Sequence, residues 1–468
     1  MNIYIANKIL VKNYDNYIMA YCKNNLEFDN PDFIKKERMG KWTGNTQRQL
    51  ILYEKIGNDI VLPFGCLKSI WKDLKNTDTK FISLIKQSDC SIDYKSQIKL
   101  YDYQKDVVNK SIKAKNGVIV MPCGSGKTQT ALEIVARLGK KTLWLTHTQD
   151  LLNQSMNRAK SCFNLDASQY GTITEGKVNI GNAITFATVQ TMCNIDLKSI
   201  KKYFDVIIVD ECHKCIGTPT NMMMFYKVLS CLSARYKYGL TATPKRADGL
   251  EKCMFAILGD IICEVPKNAV ENTTCPVEVH KIYTNFTPDT DVILAGDGTL
   301  LYSSLIDNII KDTKRNEKII RDLQKLDGAT LILSDRIEHL EILNKMLACD
   351  KSSIIKANNS KAEKEARKTK LNDLNDGKLK YLFATYKLAK EGLDIPNLRY
   401  VVFATPQKDE TTVVQSAGRV GRKYEGKEKG VVIDYVDNFG MLLGYSKKRD
   451  RFYKKLGYSL YNMWKNVI

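Results

Sequence analysis

Short aliphatic runs punctuate the chain, and their spacing sets the expected architecture. Gly117-Val118-Ile119-Val120-Met121, Lys141-Thr142-Leu143-Trp144-Leu145 and Val206-Ile207-Ile208-Val209 are apolar with little alternation. That is the pattern of strands covered on both faces. Segments with helical spacing lie between them, such as Thr130 to Leu138 after the first run. The alternation from about 98 to 270 predicts a doubly wound parallel sheet. A loose stretch from Pro266 to Pro276, with Asn268, Asn272, Thr273 and Thr274, reads as a linker. The alternation then resumes, with strands expected at Thr330-Leu331-Ile332-Leu333, Tyr381-Leu382-Phe383-Ala384 and Val401-Val402-Phe403-Ala404.

Residues 1–97 differ. Strand-like pieces such as Ile3-Tyr4-Ile5 and Leu50-Ile51-Leu52-Tyr53 are broken by the turn signals Asn30-Pro31, Gly40, Thr43-Gly44-Asn45 and Gly57-Asn58-Asp59. The expected class is α/β: two doubly wound parallel-sheet domains, 98–270 and 271–468, preceded by a small α+β domain over 1–97. Residues 361–375 should form a charged helix with a solvated face. No tandem repeat at solenoid spacing is evident.

Composition narrows the partners. Lys and Arg outnumber Asp and Glu by 72 to 52, a net charge of +20. Such an excess points to a polyanion, nucleic acid first, with a generally Lys-rich composition as the alternative. Residues 1–97 net only +4, so most of the excess lies in the two larger domains. The 13 Cys follow no regular spacing, which reads as reduced thiols in a cytosol-like compartment. Cys212 and Cys215 form a lone CxxC with no second pair nearby, so zinc is not expected. No run approaches the roughly 18 apolar residues of a membrane span, and MNIYIANKIL makes a poor signal peptide. A soluble intracellular protein is expected, in the cytoplasm of a prokaryotic or infected host cell or in a nucleus.

Chemistry enters where the strands end. Pro122-Cys123-Gly124-Ser125-Gly126-Lys127-Thr128 joins a strand to a helical pattern and is a P-loop with one position shortened. Backbone amides around Gly124, Ser125 and Gly126 would close on phosphates at a helix N-terminus. Lys127 would reach the β- and γ-phosphates of ATP, and Thr128 would complete a Mg2+ shell. Eighty-three residues after Lys127, the strand Val206-Ile207-Ile208-Val209 delivers Asp210 and Glu211. Two such acids repel unless a cation sits between them. Asp210 would hold the magnesium through water, and Glu211 would orient or deprotonate the attacking water. His213 could bond toward the next sheet element or be a packed polar residue. In the second α/β half, Gln415-Ser416-Ala417-Gly418-Arg419-Val420-Gly421-Arg422 puts Arg419 and Arg422 three apart, expected on one face of a helix start or loop. Beside a P-loop they read as arginine fingers. Glu391-Gly392-Leu393-Asp394-Ile395-Pro396 is a further Gly-bearing acidic turn.

The ordered set PCGSGKT, DECH, GLTATP, EGLDIP and QSAGRVGR resembles the superfamily 2 helicases and translocases over about 98–468. The resemblance implies two RecA-like domains. It implies that Gln104, in Leu100-Tyr101-Asp102-Tyr103-Gln104, pairs with the adenine edge while Tyr101 or Tyr103 packs beside the base; those tyrosines could equally be core. It adds Asp394 to the ATP-binding residues and assigns coupling to His213, Thr241, Thr243 and Gln415. Nucleic-acid contacts are implied for Thr146, Thr188, Asp335, Arg336 and Thr385. With DECH instead of DEAD, and with GLTATP followed by Lys245-Arg246-Ala247-Asp248-Gly249, the chain looks more like the DNA-directed branch that includes XPB and restriction-enzyme motors.

Asn30-Pro31-Asp32-Phe33, Arg38-Met39-Gly40-Lys41-Trp42-Thr43-Gly44 and Leu62-Pro63-Phe64-Gly65 resemble the leading domain of UvsW-type recombination helicases, which implies contact with double-stranded DNA; Arg315-Asn316 is another shared phrase. From the residues alone, Lys35, Lys36, Arg38, Lys41 and Arg48 face one acid, Glu37, with Trp42 among them. Cations meet phosphates and an aromatic can stack on an unpaired base; the alternative is a basic surface loop with Trp42 packed inward. The expected function is an ATP-dependent helicase or translocase on duplex or branched DNA. RNA unwinding, a restriction motor subunit, or a nucleic-acid scaffold with a vestigial ATPase are the alternatives.

Overall fold

The computed structural model describes residues 1–85, 88–122, 124–246, 248–266, 268–270, 274–296, 298–356, 361–390, 393 and 395–462. Cys123, Ala247, Asn272, Thr273, Glu391, Gly392 and Asp394 therefore lie outside the described residues. The chain divides into two compact units: Met1–Pro122 with Gly126–Pro266, and Cys123–Ser125 with Lys267–Ile468.

The first unit holds two sheets and a hairpin. Its N-terminal strands are β1 (Asn2–Ile5), β2 (Lys8–Lys12), β3 (Glu27–Asp29), β4 (Gln49–Ile51), β5 (Glu54–Ile56), β6 (Asp59–Pro63) and β7 (Lys80–Ser83). Five of them form a sheet in the order β5-β6-β2-β1-β7, while β3 and β4 pair as a separate hairpin. Alternation in β1 and β2 turns Ile3, Ile9 and Val11 inward onto Ile18 and Cys22 of the helix Asn16–Leu26. Asp15 caps that helix by accepting from the Ile18 amide at 2.9 Å. The strand expected at Leu50-Ile51-Leu52-Tyr53 is interrupted. Leu52 and Tyr53 are consecutive and both buried, which a strand with one covered face cannot provide, so β4 ends at Ile51 and β5 starts at Glu54.

The N-terminal sheet does not stand alone. Cys253 and Ala256, from the helix Glu251–Leu258, complete its core. Gly65 lies so close to that helix that a Cβ would sit 2.2 Å from the Phe255 carbonyl oxygen, so only glycine fits.

The larger sheet comprises β8 (Asn116–Val120), β9 (Thr142–Thr146), β10 (Tyr170–Thr174), β11 (Lys177–Asn179), β12 (Ile184–Thr188), β13 (Val206–Asp210), β14 (Tyr236–Thr241) and β15 (Ile261–Glu264). Their order is β11-β10-β12-β9-β13-β14-β8-β15, parallel throughout except at β11. The unalternating runs are the buried central strands: every residue of β9, β12 and β13 is buried.

The second unit is a parallel sheet of β16 (Val277–Thr284), β17 (Thr330–Ser334), β18 (Ser352–Ile354), β19 (Tyr381–Thr385), β20 (Tyr400–Phe403), β21 (Gly430–Asp437) and β22 (Ser459–Asn462), ordered β18-β19-β17-β20-β21-β16-β22. Two buried ion pairs tie helices to β21. Arg315 bonds Asp437 at 2.6 and 3.1 Å, and Arg449 bonds Asp434 at 2.9 and 2.8 Å. The expected charged helix runs over Lys361–Asn375. Between β16 and the helix Thr313–Gln324 stands a lobe that the sequence pattern did not announce. It contains the helices Thr290–Ile293 and Tyr302–Lys311 and has its own core of Phe286, Leu305, Ile309 and Leu442. Among the described residues, no helix is long and apolar enough to cross a membrane.

Candidate ATP and nucleic-acid sites

In open parallel sheets, ligands gather at the carboxyl ends of the strands. Strand order and register place the chemistry of the first unit on that edge. Thr188 of β12 is level with Thr146 of β9, Asp210 of β13 with Leu240 of β14, and Thr241 with Val120 of β8. The edge thus runs Thr188, Thr146, Asp210, Thr241 and then the P-loop leaving β8.

The P-loop enters the helix Lys127–Leu138 through Gly126, whose φ of +76° is left-handed. A Cβ at Gly126 would lie 2.6 Å from the Gln104 side-chain nitrogen, so glycine meets two demands there. Gln104 is buried, and its Oε1 accepts from the Tyr101 amide at 3.0 Å, which caps the helix Asp102–Ala114. Its side-chain nitrogen therefore faces Gly126 while its oxygen serves its own helix. Tyr101 is exposed and stacks on Tyr103 at 5.8 Å, so Tyr101 is not core. Ser125 is buried, whereas Lys127 and Thr128 are half-buried.

Asp210 and Glu211 are brought close to Lys127. Burial and the neighbouring Glu211 charge push Asp210 up to about 7, against the pull of Lys127. Burial also opposes ionisation of Glu211, but the hydrogen bond from His213 and the charge of Lys127 outweigh it and bring Glu211 down to about 2. Burial and the Glu211 charge thus oppose ionisation of Asp210, a cost that a nearby cation would relieve. Two adjacent carboxylates at a strand end suit a hard divalent ion such as Mg2+. Glu211 itself sits at φ 51°, ψ 49°, a left-handed conformation that costs a non-glycine residue on the order of 1 kcal/mol or more.

His213 is buried and answers the alternative left open by the sequence. Its Nδ1 lies 3.2 Å from Glu211 Oε2 and 3.2 Å from Thr241 Oγ1, so it does bond toward the next strand. The Thr241 hydroxyl also accepts from the Thr243 amide at 3.1 Å. Sequence reasoning missed Arg246. Its Nη1 donates to the His213 carbonyl at 2.8 Å, while Asp248 holds the guanidinium at 2.9 and 2.7 Å. In the sequence the available signal is the i, i+2 spacing of Arg246 and Asp248.

The residues implied for nucleic-acid contact are placed unevenly. Thr146 is fully buried, its hydroxyl donating to the Thr148 carbonyl at 3.1 Å, and Thr188 bonds Thr191 at 3.1 Å. Their side chains shape the strand ends. In the second unit Thr385 ends β19. Arg336 immediately precedes the helix Ile337–Leu347, bonds Ser303 at 2.8 Å, pairs with Asp307 at 3.4 Å and remains part-exposed. The neighbouring Asp335 is exposed, and its amide donates to the Thr405 hydroxyl at 2.9 Å.

Arg419 and Arg422 do not share one face of a helix start. The helix Glu410–Ala417 ends there and tightens into a 3-10 turn over Gly418–Gly421, after which Arg422 is extended. Arg419 is buried, with Nη1 and Nη2 donating to the carbonyls of Leu393 and Ala389. Arg422 is half-buried. Its carbonyl accepts from Lys427 Nζ at 3.0 Å and lies 3.5 Å from Cys275 Sγ. Gln415 is half-buried on the preceding helix.

In the N-terminal hairpin arm, the helix Pro31–Arg38 buries none of its residues. Trp42 is 89% exposed, which removes the inward-packed alternative. Lys36 is held by Asp32 at 2.9 Å and Thr46 at 2.7 Å, whereas Lys35, Arg38, Lys41 and Arg48 have no ion-pair partner among the described residues.

Two families match in sequence. "Type III restriction enzyme, res subunit" covers residues 97–246, and "Helicase conserved C-terminal domain" covers 313–424. An Acanthamoeba polyphaga mimivirus protein named as an ATP-dependent RNA helicase is 28% identical over 77% of this chain and 69% of its own. The DNA 3'-5' translocase XPB2 of Sulfurisphaera tokodaii is 25% identical over 73% of this chain and 82% of its own. Among solved structures, a fragment named as an HsdR subunit of a type I restriction enzyme from Vibrio vulnificus aligns over 80% of this chain and 71% of its own, with TM-score 0.57 and 18% identity, a likeness of fold. The order of motifs, the two parallel sheets and the two matched domains agree: the chain belongs to the superfamily 2 helicases and translocases.

Proposed function

We propose that this chain is an ATP-driven motor acting on duplex or branched DNA. The observation that carries the ATPase half is the cluster of Lys127, Asp210, Glu211, His213 and Thr241 on one sheet edge beside the P-loop. Lys127 would neutralise the β- and γ-phosphates of ATP. Thr128 and Asp210 would hold Mg2+, which screens phosphate charge when bound. Glu211, ionised and oriented by His213, would take a proton from the water that attacks the γ-phosphorus as the bond to the β–γ bridging oxygen breaks. Through His213, the hydroxyl of Thr241 registers the state of Glu211 and passes it to the Thr243 backbone. Asp394 remains a candidate ATP contact outside the described residues.

Arg422 is the better arginine-finger candidate, because the Arg419 guanidinium is turned to the carbonyls of Leu393 and Ala389. Burial pushes Lys427, which holds the Arg422 carbonyl, down to about 8. Turnover should therefore fall along an alkaline limb near pH 8 as Lys427 loses its charge. Lys427→Arg should move that limb upward, and Lys427→Met should lower kcat several-fold with KM for ATP unchanged. A pH–rate profile identical in all three proteins would refute the link.

The DNA half is supported by the basic, Trp-tipped arm and by the net charge of +20. The mimivirus relative's name favours RNA as a second reading. Measuring ATP hydrolysis with duplex DNA, forked DNA and structured RNA separates them: stimulation by RNA alone would overturn the choice. Trp42→Ala should leave duplex-stimulated hydrolysis intact and weaken fork binding about tenfold, the loss of one stacked base at roughly 1–3 kcal/mol.

A further inference from the structure

The helix Gly440–Lys455 carries a charged surface that the ATP chemistry does not use. It turns Leu442, Tyr445, Ser446, Arg449 and Tyr453 inward. From residue 447 onward every exposed position on it is a cation: Lys447, Lys448, Arg451, Lys454 and Lys455. The helix has a single acid, Asp450, and that acid is taken out of play by the buried Lys281, whose Nζ donates to it at 2.7 and 2.8 Å. The Arg449–Asp434 pair fixes the rotation of the helix against β21, so the cationic face cannot roll inward. Lys455 is paired with Glu410 at 2.6 Å; Lys447, Lys448, Arg451 and Lys454 have no ion-pair partner among the described residues.

Complementing the helix dipole accounts for Lys454 and Lys455, because that effect is confined to the last turn. It does not account for Lys447, Lys448 and Arg451 further upstream. Four unneutralised cations on one face repel each other, and a polyanion relieves that repulsion. From Lys447 to Lys454 the helix rises about 10 Å, the axial span of about three phosphates on one strand of a duplex.

We propose that this face is a second binding surface for the phosphate backbone of a nucleic-acid duplex, lying outside the matched helicase domain, which ends at 424. It rests on the motor reading only in taking the polyanion to be nucleic acid. The surface reads no sequence; it would hold the duplex while the ATP-driven steps proceed elsewhere.

The test uses the full chain and a K447Q/K448Q/R451Q/K454Q variant, with K447R/K448R/K454R as the charge-preserving control. Affinity for a short DNA duplex is measured by fluorescence anisotropy as salt rises from about 50 to 200 mM. The Gln variant should show a log K against log salt slope shallower by roughly 2–4, at about 0.9 per lost phosphate contact. The Arg control should keep the parent slope. Hydrolysis without nucleic acid should be the same in all three. If the parent binds duplex and is stimulated by it, but the Gln variant keeps the parent slope, this surface is wrong and the motor reading stands. If the parent neither binds nor responds to any nucleic acid, both fall. Loss of binding to phosphatidylserine vesicles with an unchanged duplex slope would make the face a membrane surface and overturn the proposal.

Discussion

Glu211→Gln should reduce ATP turnover by about a hundredfold to ten-thousandfold, the range for a removed general base, while ATP still binds within a few-fold of the parent. The substitution keeps volume and one carbonyl oxygen, so the turn between β13 and the His213 segment should survive. What goes is the one carboxylate that the surroundings hold ionised: Glu211 is drawn down to about 2, whereas Asp210 is pushed up to about 7. The two acids are adjacent in sequence but cannot exchange roles, because His213 bonds Glu211 and the strand end buries Asp210. Lys127→Ala should differ in kind, losing nucleotide affinity together with turnover, since its ammonium is the proposed phosphate ligand. Nucleic-acid binding without ATP should persist in both. Stopped-flow binding of a fluorescent ATP analogue beside steady-state turnover separates the two defects. Full turnover by either purified variant would remove these residues from the reaction.

Lys237→Met should stabilise the first unit. Lys237 on β14 is 1% exposed, makes no ion pair among the described residues, and sits 4.3 Å from the Phe64 ring centroid. Burial alone pushes it from its ordinary 10.5 down to about 7. At about 1.4 kcal/mol per pH unit, the protonated side chain costs roughly 4–5 kcal/mol. The cation–π contact with Phe64 returns about 2 kcal/mol of this when desolvated. Removing the amine while keeping the stem should therefore gain roughly 2–3 kcal/mol at neutral pH, a rise of at least about 5 °C in Tm. The pH dependence has a definite sign. Between about 7 and 10.5 the unfolded chain holds a proton on Lys237 that the folded chain has shed, so parent stability rises with pH across that window. The Met variant should be flatter there. A variant less stable than the parent at pH 7 would mean that the amine has a favourable partner after all.

The motifs and the central strands were legible because both are local. A strand covered on two faces leaves an apolar run, as at Val206 to Val209, and a phosphate loop keeps its glycines and lysine within a few residues, as at Gly124 to Lys127. Non-local facts were hidden. Lys237 reads as a polar interruption of a strand, and nothing in Tyr236-Lys237-Tyr238 says that Phe64, far upstream, will cover it. Arg419 and Arg422 looked equivalent at a spacing of three. Only the end of the 3-10 turn at Gly421, and the carbonyls of Leu393 and Ala389, set them apart. Strands such as β10 and β15, and the lobe between β16 and Thr313, were missed because their short runs resemble loops until a neighbour is in place.

The left-handed backbone at Glu211 has one more consequence. Glycine or asparagine relaxes at that geometry more readily than glutamate does; on the proposed role of Glu211, the residue best for folding at this position is therefore not the residue best for hydrolysis. Selection for thermal resistance alone would drift toward an inactive protein here, and an ancestral or consensus redesign judged only by melting behaviour would count that loss as an improvement. Position 211 is thus a place where heritable robustness and catalytic competence are opposed within a single side chain.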